Sequence, residues 1–277
     1  MDCGKEGRTS YWSEKEMQSE RAQRWVWRLE RKYQGGIDHS IANAERVTAR
    51  KDRGNVATVP PANKPTLLMN MTTEDCIRMC IRGCVGQRIL ALNFASFKNP
   101  GGGFLQGSSA QEESLCHATS LYPVLNGCKE FYSNHKESSM NRKAVYTTDG
   151  IYTPYILVFD DENLVGSCDI ITLAAPNYRV ARFRQNVDHQ TLVHAMQERV
   201  YTVFREAQAH EVDVLILGAY GCGVFGWNPK IVAGIMKDAQ EIFQPIASFQ
   251  TIYAIPDNGE IKSNFRAFME VLARGKE

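Results

Sequence analysis

The chain has 277 residues, of which 43% are hydrophobic and 23% are charged, a balance typical of a globular protein. Its formal net charge is +1, so no overall field attracts nucleic acid or an anionic membrane, and an anionic ligand must be bound by a local site. No stretch is apolar over the length of a membrane span, and no signal-like segment opens the chain. We therefore expect a soluble, intracellular protein, cytoplasmic with nuclear entry left open.

The first 53 residues are predicted to form a helical N-terminal extension. Between residues 10 and 33 apolar side chains recur at helical spacing, and Ser13 and Glu16 are spaced as a capping box. Residues 1–53 hold 12 basic and 9 acidic side chains, so the arginine-rich face favours a solvated surface over a nucleic-acid-binding one. No specific nucleic-acid site is evident. The apolar face of the helix carries Ala22, Trp25, Val26, Leu29 and Tyr33.

Residues 54–65 are predicted to be a linker, because three prolines in this short stretch disfavour both a helix and a central strand. Residues 66–277 are predicted to form the main domain, in which several apolar runs are continuous, as expected for strands covered on both faces. The fold class is therefore α/β, a three-layer α/β/α sandwich with a mixed central sheet. The strands are expected at TLLMNM, RILALNF, YILVF, CDIITLAA, VDVLILGAY and QTIYAI, with helices at 73–84, 110–126, 188–211, 229–243 and 259–274.

The eight cysteines and six histidines form no familiar metal or disulfide pattern. Cys76, Cys80 and Cys84 recur at helical spacing, but with Ile77 and Ile81 they favour a buried helix face over a metal site, since free cysteine packs as a small hydrophobe. The histidines form no H-E-x-x-H cluster. We expect neither a metal nor another cofactor.

Two predicted strands end in glycine-rich loops, at residues 99–103 and 221–226. Glycine permits positive φ and lets backbone N–H groups approach an anion closely. Neither loop fits the P-loop pattern or the dinucleotide-binding fingerprint. As a pair they suit a diphosphate.

Two adjacent carboxylates, Glu112 and Glu113, follow the first loop after Gln111. Ser109 and Glu112 are spaced as a capping box, so a helix start accounts for Glu112 but not for Glu113 or for the glycines upstream. Adjacent side chains on a helix diverge by roughly 100°. We therefore expect different roles, one carboxylate holding a substrate hydroxyl and the other meeting the reacting bond.

The pattern GGG, seven intervening residues and QEE resembles the signature of poly(ADP-ribose) glycohydrolases. The stretches LNFASFKNPGGG, QEESLCHATSLY, APN and LGAYGCGVFG are similar to the shorter, microbial-type branch of that family. The resemblance spans essentially the whole chain after the linker, and the amphipathic start is similar to the helical extension of that branch. It implies a macrodomain fold over residues 66–277, hydrolysis of ribose–ribose bonds in poly(ADP-ribose), and ADP-ribose as the product.

The resemblance also implies site residues. Glu113 would protonate the departing ribose oxygen and then activate water, and Glu112 would bind hydroxyls of the ribose under attack. A bound diphosphate and partial desolvation by Phe225 would favour the protonated form of Glu113, against the effect of the helix N-terminus. The ADP-ribose-binding residues implied are Asn93, Asn99, Gly101, Gly102, Gly103, Gln111, Gly221, Cys222, Gly223, Val224, Phe225 and Gly226.

Two alternatives stay open. A non-catalytic ADP-ribose-binding macrodomain would not be expected to carry the QEE triplet, whereas a mono-ADP-ribosyl hydrolase acting on an ADP-ribosylated protein side chain or nucleic acid could use the same site. Trp227 stands where the branch is expected to have a polar residue, which predicts a different pocket rim and leaves the preference between polymer and monomer open. Phe225 and the second loop favour cleavage from chain ends.

Overall fold

The computed structural model describes residues 6–48, 64–83, 86–134, 144–243, 249–257, 259 and 263–273, with side chains from residue 13 onward. In chain order the elements are α1 (Glu6–Ala42), β1 (Glu45–Val47), β2 (Leu67–Met69), α2 (Thr73–Gly83), β3 (Ile89–Phe94), a 3₁₀ turn (Phe104–Gln106), α3 (Gln111–Ala118), α4 (Leu121–Gly127), α5 (129–134), β4 (Gly150–Asp160), β5 (Asn163–Leu173), α6 (Tyr178–Phe183), α7 (His189–Ala209), β6 (Val214–Leu217), α8 (Pro229–Phe243), β7 (Gln250–Ala254) and α9 (Asn264–Ala273).

In the described part of the chain, seven strands form one mixed sheet in the order β1-β4-β5-β3-β6-β7-β2. β4 pairs antiparallel with β1 and β5, and the remaining neighbours are parallel. The carboxyl ends of β5, β3, β6 and β7 therefore meet at one edge of the sheet, where open α/β folds place their ligands.

Both faces of this sheet are covered, as the alternation of side chains in β3 shows. Leu90 and Leu92 belong to one buried cluster, whereas Ile89 and Ala91 belong to the other. Helices α7, α8 and α9 contribute to the first cluster and α1 to α4 to the second. The predicted mixed sheet between two helical layers is confirmed.

Helix α1 packs against the second cluster through the predicted apolar face. Ala22 and Leu29 have no exposed surface, and Trp25 donates from Nε1 to the Cys116 carbonyl at 3.0 Å. Val26 and Tyr33 are partly buried at the edge of the same cluster. The amphipathic helix is confirmed, and it covers part of the sheet.

The ends of α1 differ from the prediction. The helix already begins at Glu6, so the predicted start at a Ser13–Glu16 capping box is wrong. The backbone kinks at Tyr33 (φ −131°, ψ 23°), and the helix continues to Ala42. Edge strand β1 follows and pairs with β4. The predicted linker at 54–65 lies outside the described residues except for its last two positions.

The single helix predicted over residues 110–126 is wrong, because the structure divides it into α3 and α4 at Thr119 and Ser120. Thr119 is extended and forms a bridge with Val158 of β4. Ser120 donates from its N–H to the Leu157 carbonyl at 2.9 Å and accepts from the Leu157 N–H at 3.0 Å. Pairing with a distant strand thus replaces helical hydrogen bonds.

Helix α6 is also absent from the prediction.

The prediction that the cysteines of α2 lie on a buried helix face is confirmed for Cys76 and Cys80. Cys76, Ile77 and Cys80 are buried, and Ile81 packs at the edge of the same cluster. Cys84 lies outside the described residues.

Candidate active site

A cleft of about 880 Å³ opens at the carboxyl ends of β3, β6 and β7. The loop after β3, the start of α3 and the loop after β6 line it. Asn93 lies behind the lining and contacts Glu112, and Gly101 precedes the lining residue Gly102. The predicted site residues that line the cleft are Asn99, Gly102, Gly103, Gln111, Glu112, Glu113, Gly221, Gly223, Val224 and Phe225.

Gln111 joins the start of α3 to the end of β3. Its Oε1 accepts from the Phe94 N–H at 2.8 Å, and its Nε2 donates to the Leu92 carbonyl at 2.8 Å and to Thr73 Oγ1 at 3.2 Å. These hydrogen bonds fix the first turn of the helix against the strand. Gln111 therefore positions the two carboxylates that follow it.

Glu112 is almost fully buried, with 3% of its surface exposed. Its Oε2 accepts from the Ser96 N–H at 2.7 Å, and its Oε1 accepts from Asn93 Nδ2 at 3.2 Å. Burial raises the pKa of Glu112 to about 8, because the N–H donors that favour the carboxylate offset only part of the lost hydration. Glu112 is therefore mostly protonated at neutral pH.

The stability of the protein should fall between about pH 5 and pH 8 because of Glu112. The unfolded chain ionises near the ordinary value of 4.5, whereas the native pKa is about 8, so the native state binds more protons in this window and loses stability as the pH rises. Urea unfolding measures the free energy of unfolding at pH 5 and at pH 8. Its decrease between these two pH values should be larger in the wild type than in Glu112→Gln by roughly 2–4 kcal/mol. Equal losses would contradict the raised pKa.

The amide introduced by this substitution has a partner in the native structure. Asn93 Oδ1 is a buried oxygen without a hydrogen-bond partner among the described residues, and turning the Asn93 amide would let that oxygen accept from the new side chain. Far-ultraviolet circular dichroism of both proteins at pH 5 checks that they start from the same fold.

Glu113 has different contacts from its neighbour Glu112. Its Oε1 accepts from the Gly103 N–H at 2.8 Å and its Oε2 from the Ala110 N–H at 3.1 Å, with 7% of the residue exposed. Ala110 is the N-cap of α3, so the predicted capping box of Ser109 and Glu112 is wrong. Glu113, one residue later, makes the contact to the N-cap.

The first glycine loop holds these carboxylates. Gly101 and Gly102 have φ of +67° and +62°. A Cβ at Gly102 would lie 2.5 Å from Glu113 Oε1 and 2.9 Å from Glu112 Oε2. The N–H of Gly103 donates to Glu113, and the nearby N–H of Gly101 favours the ionised form of Glu112. Glycine is required here because the protein's own carboxylates approach the backbone so closely.

The second glycine loop, between β6 and α8, leaves backbone donors available. Gly221 and Gly226 both have φ of +74°, which only glycine adopts readily. Within the described part of the chain, no acceptor satisfies the N–H groups of Gly223, Val224 and Phe225. Successive N–H groups of this kind can bind an anion. The first loop therefore holds the protein's own carboxylates, whereas the second loop has backbone N–H groups available for an anionic ligand.

Three residues after the second strand end do not line the cleft. Cys222 is half-buried, and Gly226 faces the side chain of Arg179, 3.4 Å from where a Cβ would stand. Trp227 is 2% exposed and donates from Nε1 to the Pro176 carbonyl at 2.8 Å. The expectation that Trp227 changes the pocket rim is therefore wrong.

Arg199 is a buried residue that sequence reasoning missed. It has no exposed surface, and its guanidinium donates to the carbonyls of Ala174 at 2.7 Å, Val145 at 2.7 Å and Thr147 at 2.9 Å. Arg199 thus holds the end of β5 next to the cleft-lining Ala175. Helical periodicity could have identified Arg199 as buried, since it lies on the same face of α7 as the buried residues Met196, Val200 and Val203.

The residues after β7 form a further part of the cleft wall that no sequence motif predicted. Ile255, Pro256 and Asn264 line the cleft. They belong to no glycine-rich or acidic motif, so only the parallel pairing of β7 with β6 brings them to this edge.

Within the described ranges, no group of three or more His, Cys, Asp or Glu side chains is placed to hold a metal ion. None of the helices that the structure describes has the length and apolar character needed to cross a membrane.

Residues 14–161 match the family model of the microbial-type poly(ADP-ribose) glycohydrolase (PARG) catalytic domain. The match covers more than half of the 277 residues and includes the first glycine loop and both carboxylates. A search of curated proteins finds no match to the chain.

Solved structures of two bacterial glycohydrolases are similar over most of the chain. Poly(ADP-ribose) glycohydrolase from Thermomonospora curvata is 26% identical, with a TM-score of 0.80 over 92% of this chain and 99% of that one. The enzyme from Deinococcus radiodurans in complex with ADP-ribose is 29% identical, with a TM-score of 0.73 over 86% and 97% of the two chains. The Thermomonospora curvata enzyme bound to the inhibitor ADP-HPD is 27% identical, with a TM-score of 0.75 over 92% and 99%.

Proposed function

This chain belongs to the microbial-type poly(ADP-ribose) glycohydrolase family, and on that premise we propose that it hydrolyses the ribose–ribose O-glycosidic bonds of poly(ADP-ribose) and releases ADP-ribose. The observation that carries the proposal is the pair Glu112 and Glu113, held by the first glycine loop on the wall of a large cleft. The solved relative with ADP-ribose bound supports the same ligand here.

Glu113 is the proposed acid and base. Its protonated carboxyl donates to the departing ribose oxygen as the glycosidic bond breaks, leaving an oxocarbenium-like ribose. The resulting carboxylate takes a proton from water, whose oxygen attacks the anomeric carbon, so the carboxyl group is restored. The N–H groups of Gly103 and Ala110 stabilise the carboxylate formed between the two steps.

Glu112 is proposed to bind hydroxyl groups of the ribose under attack. As a protonated carboxyl group it can both donate and accept a hydrogen bond, which suits a ribose hydroxyl. Its contacts to Asn93 and Ser96 fix its orientation. This division of labour differs from the usual glycosidase pair, in which both carboxyl groups take part in the reaction.

The second glycine loop is proposed to bind the diphosphate. The unused N–H groups of Gly223, Val224 and Phe225 supply successive donors without charged side chains. Gly101, Gly102 and the side chain of Asn99 would then contact the ribose side of the ligand. The first loop is proposed to act on the diphosphate less directly, since the N–H of Gly103 already binds Glu113 and the N–H of Gly101 is directed to the side of Glu112.

The test of this function is incubation of the purified protein with poly(ADP-ribose) and chromatography of the products. Release of ADP-ribose is expected, and binding of ADP-ribose without any turnover would instead favour a non-catalytic reader. A parallel assay on mono-ADP-ribosylated protein separates the proposed activity from a mono-ADP-ribosyl hydrolase, which would act on that substrate at least as fast.

Cleavage is proposed to proceed from chain ends. Phe225 belongs to the proposed diphosphate loop, and it lines the cleft, where its side chain would cover the terminal ribose. The earliest products from a long polymer should then be single ADP-ribose units with little shortening of the bulk chains. An early appearance of oligomers would contradict this mode.

Replacing Phe225 with alanine should weaken ADP-ribose binding by roughly 5- to 20-fold, because an aromatic contact of about 1–2 kcal/mol is lost. The side chain is half-buried, so the fold should persist. Isothermal titration with ADP-ribose measures the change. Val224→Ala serves as the control. Val224 is 77% exposed, so this substitution should weaken ADP-ribose binding less than Phe225→Ala does. A larger loss at Val224 than at Phe225 would contradict the assignment.

A further inference from the structure

A second cavity, of about 300 Å³, adjoins the cleft. Ser108, Ser109 and Ser114 line both cavities. Ser114 directly follows Glu113, and Ser109 precedes the Ala110 whose N–H binds that carboxylate. The two cavities therefore meet beside the proposed acid. A leaving group that takes its proton from Glu113 would therefore be next to the second cavity.

The wall of the second cavity contributes two guanidinium groups from separate helices. Arg78 of α2 is held by Asp75 at 2.7 Å and by the Phe159 carbonyl at 2.8 Å. Arg21 of α1 makes no hydrogen bond or ion pair with any residue that the structure describes. Guanidinium groups are well suited to phosphate oxygens. Arg21 is thus available to an anionic ligand.

His117 adds an unused polar group to the same wall. Its Nδ1 is buried and has no hydrogen-bond partner among the described residues. Burial, with a contribution from nearby Arg21, lowers the pKa of His117 to about 4, so the imidazole is neutral near pH 7. Glu74 and Asp161 also line the cavity and can accept from hydroxyl groups. The combination fits a ligand that carries both phosphate and sugar.

We propose that the second cavity is a leaving-group subsite for the next ADP-ribose unit of the polymer, with Arg21 on its phosphate oxygens and the shared serines on its ribose. This rests on the function proposed above. The volume of about 300 Å³ accommodates part of such a unit, so the remainder extends into solvent along α1. The N-terminal helix then contributes to polymer binding as well as to the core.

The test compares Arg21→Gln and Arg21→Glu with Arg24→Gln, a matched control on the same helix that is exposed and lines neither cavity. Loss of one charge-assisted contact should raise KM for poly(ADP-ribose) about five- to tenfold in Arg21→Gln, and charge reversal should raise it further. The salt dependence of KM should also weaken. The Kd for ADP-ribose should change less than about twofold.

The outcomes separate the two proposals. Unchanged KM in both Arg21 variants, or a parallel rise in Kd for ADP-ribose, would overturn the subsite while leaving the activity in place. If Arg21→Gln and Arg24→Gln raised KM equally, the subsite would be overturned as well, because the effect would then come from the positive charge of the helix and not from a contact in the second cavity. A wild-type protein that binds ADP-ribose but releases none from polymer would remove the proposed function, and the subsite with it.

Discussion

Glu113→Gln should slow release of ADP-ribose from poly(ADP-ribose) by about 10²–10⁴-fold, because a positioned general acid and base is lost. The amide cannot deliver a proton to the departing oxygen or remove one from water. It still offers an oxygen to the Gly103 or Ala110 N–H, so the fold and the shape of the cleft should persist. The decisive measurements are kcat on polymer and Kd for ADP-ribose, of which only kcat should change greatly.

Glu74 provides the competing assignment for this experiment. Glu74, Glu112 and Glu113 are the carboxyl groups that line the cleft among the described residues. Burial raises the pKa of Glu74, which makes Glu74 a second candidate proton donor. Glu74→Gln should nevertheless retain most of kcat, since Glu74 makes no contact with the glycine loop. A loss in Glu74→Gln that matches Glu113→Gln would contradict Glu113 as the catalyst.

Gly102→Ala should lower kcat/KM by about 10²-fold or more, because displacing a catalytic group by about 1 Å has an effect of this size. The new Cβ would stand 2.5 Å from Glu113 Oε1 and 2.9 Å from Glu112 Oε2, so both carboxyl groups must move. The φ of +62° adds strain, and stability should fall by about 1–3 kcal/mol. Steady-state kinetics and urea unfolding measure the two effects.

Two other glycines separate displacement of the carboxylates from backbone strain. Gly101 has a similar φ of +67°, but its Cβ would meet Tyr122 at 2.7 Å instead of the carboxylates. Gly101→Ala should therefore lose comparable stability with a smaller fall in kcat. Gly234 lies in α8, and beyond the helix's own backbone no described atom lies within 4 Å of an added Cβ, so Gly234→Ala should leave activity unchanged. Equal kcat losses at Gly101 and Gly102 would show that strain alone matters.

Local sequence patterns predicted most of the elements that position the site. The continuous apolar run of β3 indicated a doubly covered strand, and Leu90 and Ala91 do face opposite clusters. The helix predicted at 229–243 has those bounds in the structure, with proline at its first position, where the missing N–H is not needed. Such features depend on residues a few positions apart, which is why a linear pattern can report them.

The errors arise where a distant segment competes with a local preference. Thr119 and Ser120 leave the helical pattern because they pair with β4. Arg199 carries the charge of a surface residue but is buried, since carbonyls from two distant segments, at Ala174 and at Val145 and Thr147, converge on its guanidinium. No spacing rule along the chain encodes those partners.

The sequence by itself determined the fold class, the family resemblance and the adjacency of Glu112 and Glu113 behind a glycine loop, because these depend on periodicity and motif spacing. Only the tertiary structure decided how the carboxyl groups differ. Glu112 turns toward Asn93 and Ser96 and is buried, which raises its pKa, whereas Glu113 takes the N-cap contact expected of its neighbour. Burial and hydrogen-bond partners are set by segments that meet only after folding, so identical side chains at successive positions acquire different chemistry.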